Sequence, residues 1–491
     1  MVTKKVSEEP DFIKQAEAPS HPNLVLAICC VCVFIVGMDT SVLNVALPSI
    51  QNDFHASISQ AQWALDGYTL VIACLLMLSS SMADRVGRRR IFQIGLALFS
   101  LGSLLCSIAP SMGWLIVFRM MQAVGGSMLN PVAMSIISNT FLDAKARALA
   151  IGVWGSVAGV SLATGPILGG ILVNSIGWRS IFWINVPIGI VVLLLAARFV
   201  PESKASHARR FDLVGQICVI VFLGLLIYGI IEAPTYGWTS LEILGCLIGA
   251  AVFFVILIGY ERVRVEPLID LRFFRSIPFS GAAVIGLCSF MALGGFQILN
   301  TFYLQDILHY SPLQAGIAFL PMAVLGAVCS PLSGRIVGRY GSRVSLMIGG
   351  SAIAIAGILD AISAGYPSQV SLYGSFALIG IGIGWLNAAI SNTALSGMPR
   401  HQSGVAAGIA STIRQLGAAL GVAILGSVIA SHVTTLTASS GFTDAYHIDW
   451  CIIAGCGLAT LVLGFITTGA WAKRTASRNA ERMALEMEDI L

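Results

Sequence analysis

Apolar stretches recur along the chain, separated by short clusters of Pro, Gly, Asn and charged residues. A helix that crosses a bilayer needs about 20 predominantly apolar residues, and the pattern predicts fourteen such spans. Their predicted ranges are 23–48, 61–82, 91–109, 113–138, 148–173, 180–200, 212–233, 240–261, 278–304, 313–335, 344–364, 370–395, 404–430 and 447–471. The fold class we expect is an all-α integral membrane protein.

Composition narrows the function classes. Of 491 residues, 56% are hydrophobic and 11% charged, against about 25% charged in soluble proteins, which excludes a soluble enzyme with one anchor. The net charge is +4, and the basic residues lie in short loops instead of one surface patch. This distribution argues against nucleic acid as a partner. The eleven Cys fall within apolar segments without CxxC spacing, so we interpret them as core residues and expect no metal site.

The basic residues predict the orientation. Of 28 Lys and Arg, all but Arg119, Arg179 and Arg414 fall at one face of the predicted spans. Cytoplasmic loops carry an excess of Lys and Arg, so this face is expected to be cytoplasmic. With an even number of spans, both termini lie on that side. Residues 1–22 are polar, and the apolar segment after them is too long for a signal peptide, so we expect it to be retained.

Three places in the chain repeat at a nearly constant distance. The matched pairs are Arg85 and Arg339, Asn130 and Asn387, and Gly152 and Gly408, which lie 254, 257 and 256 residues apart. Parallel repeats of this kind occur in transporters whose two bundles rock about a central site. We therefore predict an N-terminal tail, a first six-helix bundle, two inserted helices, a second six-helix bundle and a solvated C-terminal tail, with boundaries at 1–22, 23–200, 201–277, 278–471 and 472–491.

Three ionisable residues lie inside predicted spans at similar depth. At about 1.5 Å per residue, Asp39 lies roughly 24 Å along span 1, while Asp66 and Arg119 lie about 8 and about 9 Å below the opposite end. Such residues are functional candidates by default. A carboxyl group binds its proton more weakly beside a guanidinium and more tightly in apolar surroundings. The three charges are therefore candidates for one site that couples a solute to a proton, and the alternative is a static ion pair between helices.

Other polar residues of the spans are candidates to line a cavity. They could instead form hydrogen bonds between helices, which is the commoner role. Glu232, Asp306 and Asp360 lie near the outer ends of spans 7, 9 and 11, where we expect solvated or interfacial roles. The candidates for substrate binding, beside Asp66, are Asn44, Gln297, Asn300, Arg414 and Gln415.

Span 5 carries a run of small residues, Gly165, Pro166, Gly169 and Gly170. Small residues let helices approach closely, and proline removes an internal hydrogen bond. The run could form a tightly packed gate or ordinary membrane packing. In the loop after span 2, we interpret Asp84 with Arg85 and Arg88 as a latch against the neighbouring bundle.

The chain contains no Gly-Lys pair, and therefore no phosphate-binding loop of the Walker A type. No nucleophile elbow or cluster of metal ligands stands out, so we assign no catalytic residues. We expect no enzyme activity and no cofactor, with an ion gradient as the energy source.

Several motifs resemble the major facilitator superfamily, specifically its fourteen-helix drug:proton antiporter branch. They are MDTSVLNVALPSI at 38–50, SSSMADRVGRRR at 79–90, RMMQAVGGS at 119–127, GPILGG at 165–170 and GWRSIFWINVPIG at 177–189. The resemblance covers nearly the whole chain. It implies the superfamily fold, Asp39 as proton or cation site, Arg119 as its modulator and Asp84 in gating.

The resemblance implies a proton-driven exporter of small amphipathic, often cationic drugs or biocides in a bacterial inner membrane. Its partners would be the substrate, protons and the bilayer, and one chain supplies both bundles, so a monomer can suffice. Two alternatives remain: an exporter or proton symporter of one dedicated metabolite, and a membrane sensor that does not transport.

Overall fold

The computed structural model describes residues 21–141, 143–204, 212–264, 267–363, 368–396, 398, 403–433 and 438–488. Seventeen α-helices lie in these ranges: α1 (Pro22–Phe54), α2 (Ile58–Val86), α3 (Arg88–Ser107), α4 (Met112–Thr140), α5 (Ala144–Ser175), α6 (Ser180–Trp183), α7 (Asn185–Phe199), α8 (Leu213–Tyr236), α9 (Leu241–Val263), α10 (Ile277–Phe302), α11 (Pro312–Ala318), α12 (Leu320–Tyr340), α13 (Ser342–Ile362), α14 (Gln369–Leu395), α15 (Ser403–Val433), α16 (Ala438–Thr467) and α17 (Ala470–Glu488).

Fourteen helical segments of the described chain are long and apolar enough to cross a membrane. The predicted all-α membrane fold is therefore confirmed. Two predicted spans are broken: α6 and α7 share one, and α11 and α12 share another. A π-helical turn, Tyr303–Ile307, extends α10.

Helix contacts divide the chain into two groups. Helices α1–α7, here named the amino-terminal bundle, pack chiefly against one another. Helices α10–α16 are named the carboxy-terminal bundle and likewise pack chiefly against one another, except α11, which packs mainly against α5. The inserted helices α8 and α9 pack against each other, and α8 also contacts α2 and α15. A buried apolar cluster joins the bundles, because Leu43 and Leu47 of α1 share it with Leu299 of α10.

The two ends of the bundles differ in charge. We call the end with the α2–α3 loop and Arg85, Arg88, Arg89 and Arg90 the basic face, and the other end the opposite face. Helix α5 packs across the bundles toward the opposite face, where a Cβ on Gly170 would overlap the backbone of Leu313. Toward the basic face, a Cβ on Gly152 or Gly159 would meet no described atom within 4 Å. Along α5, the bundles are therefore in contact at the opposite face and apart at Gly152 and Gly159.

The C-terminal tail forms the helix α17, which has exposed residues such as Arg474, Arg478 and Arg482 on one face and packs its other face near the start of α10. The Thr475 hydroxyl accepts a hydrogen bond from the Ile277 N–H at the start of α10 (3.2 Å). The Asn479 amide donates to the carbonyl of Arg272 (3.2 Å). A helix N-terminus leaves N–H groups without partners inside the helix, and α17 supplies one of the missing acceptors.

Close helix packing in the amino-terminal bundle depends on Gly125. A Cβ there would overlap the Phe99 backbone nitrogen of α3, and backbone moves less readily than a side-chain end. Overpacking typically lowers the free energy of unfolding by about 1–3 kcal/mol, and we expect Gly125→Val to lower it by at least that much. The measurement is the thermal unfolding midpoint of the purified protein in detergent. Gly113→Val is the control, since a Cβ there meets nothing within 4 Å. Equal midpoints for both variants would contradict this packing.

Candidate functional site

Asp39 of α1 and Arg119 of α4 form an ion pair inside the amino-terminal bundle. The Arg119 Nη1 lies 2.6 Å from the Asp39 Oδ2, and both side chains are 1% exposed. Transfer of two isolated charges out of water costs several kcal/mol each, so such a pair persists only with good geometry and further hydrogen bonds. The proximity of these two residues was expected from their depth.

Two amides complete the site around Asp39. The Gln122 Nε2 donates to the Asp39 Oδ1 (2.9 Å), and the Asn185 Nδ2 donates to the same oxygen (2.8 Å). Both amides also contact the Ser103 hydroxyl oxygen, at 2.9 and 3.0 Å. Every partner of Asp39 named here is a donor, so the arrangement fits a carboxylate.

Asn185 was missed as a site residue in the sequence, although it lies in the GWRSIFWINVPIG segment. The signal that could have found it is a lone amide in an apolar run. Asn185 is the first residue of α7 and is fully buried. Its amide reaches Asp39 of α1 and Ser103 of α3.

Arg119 is held by more than Asp39. Its Nη1 also donates to the Gln122 Oε1 (2.7 Å), and its Nε approaches the carbonyl of Ala64 (3.4 Å). The guanidinium carbon lies 4.1 Å from the centre of the Tyr68 ring, within the range of a cation–π interaction. Helices α1, α2 and α4 therefore meet at one guanidinium.

Asp66 does not belong to this cluster, contrary to the expectation of a single three-charge site. It is fully buried on α2, and neither carboxylate oxygen has a hydrogen-bond partner among the described residues. One turn earlier, the Gln62 Nε2 donates to the carbonyls of Val422 and Ala423 on α15, each at 3.1 Å. Residues four apart share a helix face, so Asp66 lies on the face of α2 that meets the other bundle.

The other substrate-binding candidates are spread over both bundles. Asn44 donates to the Thr40 carbonyl one turn back on α1, and Asn300 does the same to Phe296 on α10. Asn300 is fully buried, whereas Gln297, Arg414 and Gln415 are half-buried. The Arg414 Nη1 donates to the Ser391 hydroxyl (3.1 Å).

The acids near the span ends behave differently from one another. Glu232 is half-buried and accepts a hydrogen bond from the Trp63 indole (2.9 Å), and Asp306 is exposed. The expectation of a solvated Asp360 is wrong, since it is fully buried and accepts from the Ser371 hydroxyl (2.8 Å).

The small residues of α5 contact both bundles. A Cβ on Gly165 or Gly169 would meet Ser41 or Val42 of α1. Across the bundle boundary, a Cβ on Gly316 of α11 would overlap the backbone of Pro166. These positions allow close approach at the opposite face.

At the basic face, the Arg88 Nη2 lies 2.8 Å from the Asp84 Oδ1. The neighbouring Arg89 N–H donates to the Glu202 carboxylate (3.1 Å), and the Arg88 N–H to the Ser203 carbonyl (2.9 Å). Glu202 and Ser203 follow α7, so these contacts lie within the amino-terminal bundle.

No group of three or more His, Cys, Asp or Glu residues able to hold a metal occurs in the described ranges.

Comparisons with known proteins agree with this architecture. A family model described as Major Facilitator Superfamily matches residues 29–422. The multidrug resistance protein Stp of Mycobacterium tuberculosis (strain CDC 1551 / Oshkosh) is 38% identical over 81% of this chain and 74% of its own. The tetracenomycin C resistance and export protein of Streptomyces glaucescens is 33% identical over 88% and 81%. A crystal structure of a POT family transporter with a thioalcohol conjugated peptide aligns with TM-score 0.68 and 16% identity, over 92% of this chain and 97% of that one.

Removal of one partner of a buried ion pair leaves an uncompensated charge, at a cost of about 3–5 kcal/mol. We expect Arg119→Leu to lower the thermal unfolding midpoint more than the double variant Asp39→Asn, Arg119→Leu, in which no lone charge remains. The measurement is a double-mutant cycle on purified protein in detergent. Strictly additive effects of the two substitutions would contradict the coupling.

Proposed function

Since the chain belongs to the Major Facilitator Superfamily, we propose that it is a drug efflux transporter that exports small amphipathic, cationic compounds in exchange for protons. The observation that carries the proton coupling is the buried pair of Asp39 and Arg119, with Asn185 and Gln122 on the same carboxylate. The names of the relatives, a multidrug resistance protein and an antibiotic export protein, support drug efflux.

The proposed cycle alternates between two arrangements of the bundles. With the bundles joined at the opposite face, Asp39 is a carboxylate held by Arg119, and the basic face admits substrate. With the bundles parted at the opposite face, a proton from outside binds Asp39 as Arg119 moves away. Return of the bundles brings the donors back to Asp39, which releases the proton to the cytoplasm. Each half of the cycle thus changes the partners of one carboxyl group.

The small residues of α5 act as the gate in this proposal. Gly170 against Leu313 and Gly316 against Pro166 close the opposite face, because backbones without side chains between them exclude water. Asp84, Arg85 and Arg88 reorganise at the basic face when that side closes. The membrane is the bacterial inner membrane, with the basic face toward the cytoplasm, and one chain provides a complete transport unit.

A second candidate is export of one dedicated metabolite with acidic or phenolic groups. Arg414 favours it, since this half-buried guanidinium within a span donates to Ser391 and would attract an anionic group. One relative, the tetracenomycin C resistance and export protein, is named for a single compound.

The test is proton movement in proteoliposomes on addition of the lipophilic cation ethidium, followed with an internal pH dye. Asp39→Asn should abolish proton movement, because an amide cannot carry the proton. Asp306→Asn is the matched control, as Asp306 is exposed at the end of α10, and it should retain wild-type flux. Equal flux in Asp39→Asn and wild type would refute the assignment.

Asp66 separates the two candidates. If it selects cationic substrates when the contact between α2 and α15 opens, Asp66→Asn should lose flux with ethidium and keep it with a neutral drug. Flux in the wild type with an anionic aromatic compound, and none with ethidium, would favour the dedicated exporter.

A further inference from the structure

A second acid lies buried in the other bundle and has no part in the proposed cycle. Asp449 of α16 is fully buried, and neither of its carboxylate oxygens has a hydrogen-bond partner among the described residues. It lies five residues after Asp444, where the apolar part of its span begins, and so about 8 Å below that end. An ionisable residue inside a membrane span is a functional candidate by default.

The place of Asp449 in its bundle matches that of Asn185 in the other. Helix α16 packs against α10 and α13 as α7 packs against α1 and α3. The residues Phe-Trp-Ile-Asn at 182–185 align with Tyr-His-Ile-Asp at 446–449. In both segments the aromatic first residue and the polar last residue are buried, while the second residue is exposed. Asp449 is therefore the counterpart of the amide that holds Asp39.

Asp39 and Arg119 themselves have apolar counterparts in the other bundle. The shared Leu-Asn pairs, 43–44 with 299–300 and 129–130 with 386–387, set the register. In this register Gly295 takes the place of Asp39, and Phe376 takes that of Arg119. In this register Asp449 stands on the last helix of its bundle, whereas Asp39 stands on the first, and a phenyl ring takes the place of the Arg119 guanidinium.

Aromatic side chains cluster around Trp450, the residue that follows Asp449 on α16. The ring of Phe296 lies 4.8 Å from that of Phe376 and 5.8 Å from that of Trp450, which is itself fully buried. Asp449 forms no ion pair among the described residues. The titratable or charged side chains of α16 itself and of α10, α13 and α15, which pack against it, are Cys288, Arg343, Asp360, Arg414, His432, Asp444, Tyr446, His447, Cys451 and Cys456. A carboxylate without hydrogen bonds is far more costly in such a place than a neutral carboxylic acid, so the acid form fits the site.

We propose that Asp449 is a second proton-carrying site, which holds a proton while Asp39 is paired with Arg119. A proton from the outer solution forms the O–H bond of Asp449, and its release to the cytoplasm later in the cycle restores the carboxylate, so no other reactant is needed. This inference rests on the proposed proton antiport. It predicts a stoichiometry of two protons per substrate.

The number of protons per substrate is tested by the ratio of ethidium concentrations across the membrane at which the net flux of ethidium is zero. Proteoliposomes carry a one-unit pH gradient, the membrane potential is clamped to zero with valinomycin, and ethidium is the substrate. Because one pH unit is a factor of ten per proton, wild type should sustain a gradient of about 100-fold and Asp449→Asn about 10-fold. Asp306→Asn should match wild type. An unchanged gradient in Asp449→Asn overturns the proposal, whereas no gradient in wild type refutes the antiport itself.

A second measurement needs no transport and detects protonation directly. In infrared spectra of the purified protein at neutral pH, wild type minus Asp449→Asn should show the carbonyl stretch of a protonated carboxylic acid. The spectrum of wild type minus Asp39→Asn should lack that stretch, since Asp39 is ion-paired. Absence of the band from the Asp449 difference spectrum, with both proteins monodisperse in gel filtration, would mean an ionised Asp449 and overturn the proposal.

Discussion

In the apolar core of a bilayer, a charge must find its counter-charge and its hydrogen bonds inside the protein. The pair of Asp39 and Arg119 meets this requirement with two further amides, and it thereby joins α1, α2, α4 and α7 at one point. The same requirement makes the pair responsive. A proton on Asp39 would cancel one charge and weaken several contacts at once, so a change in protonation acts on four helices.

Close packing provides the second constraint. Glycine positions on α5 and α11 bring backbone against backbone across the bundle boundary at the opposite face. Toward the basic face the same helix leaves Gly152 and Gly159 without neighbours. A contact made of backbones is either formed or broken, because there is little side-chain freedom to take up intermediate separations. Such a contact suits a movement between two states better than a gradual one.

The two bundles share a helix arrangement but not a chemistry. The amino-terminal bundle surrounds Asp39 with donors, while the carboxy-terminal bundle buries Asp449 without a hydrogen-bond partner among the described residues. The inserted helices α8 and α9 have no counterpart in the repeat, and α17 is joined to the start of α10 by Thr475. The two halves of a repeated fold can therefore hold an acid, here Asp39 or Asp449, in different environments.

The sequence alone determined the membrane class, the number of spans and the repeat, because these depend on apolar length and residue spacing, which are local. It also predicted that Asp39 and Arg119 lie at similar depth in the membrane. Depth along a helix does not say which way a side chain points, so the same reasoning wrongly added Asp66 to their site. Tertiary structure alone decided that Asn185 reaches Asp39, since this depends on how α7 is rotated against α1. It likewise decided that Asp360 and Asp449 are buried, because burial is set by neighbouring helices that are distant in the chain.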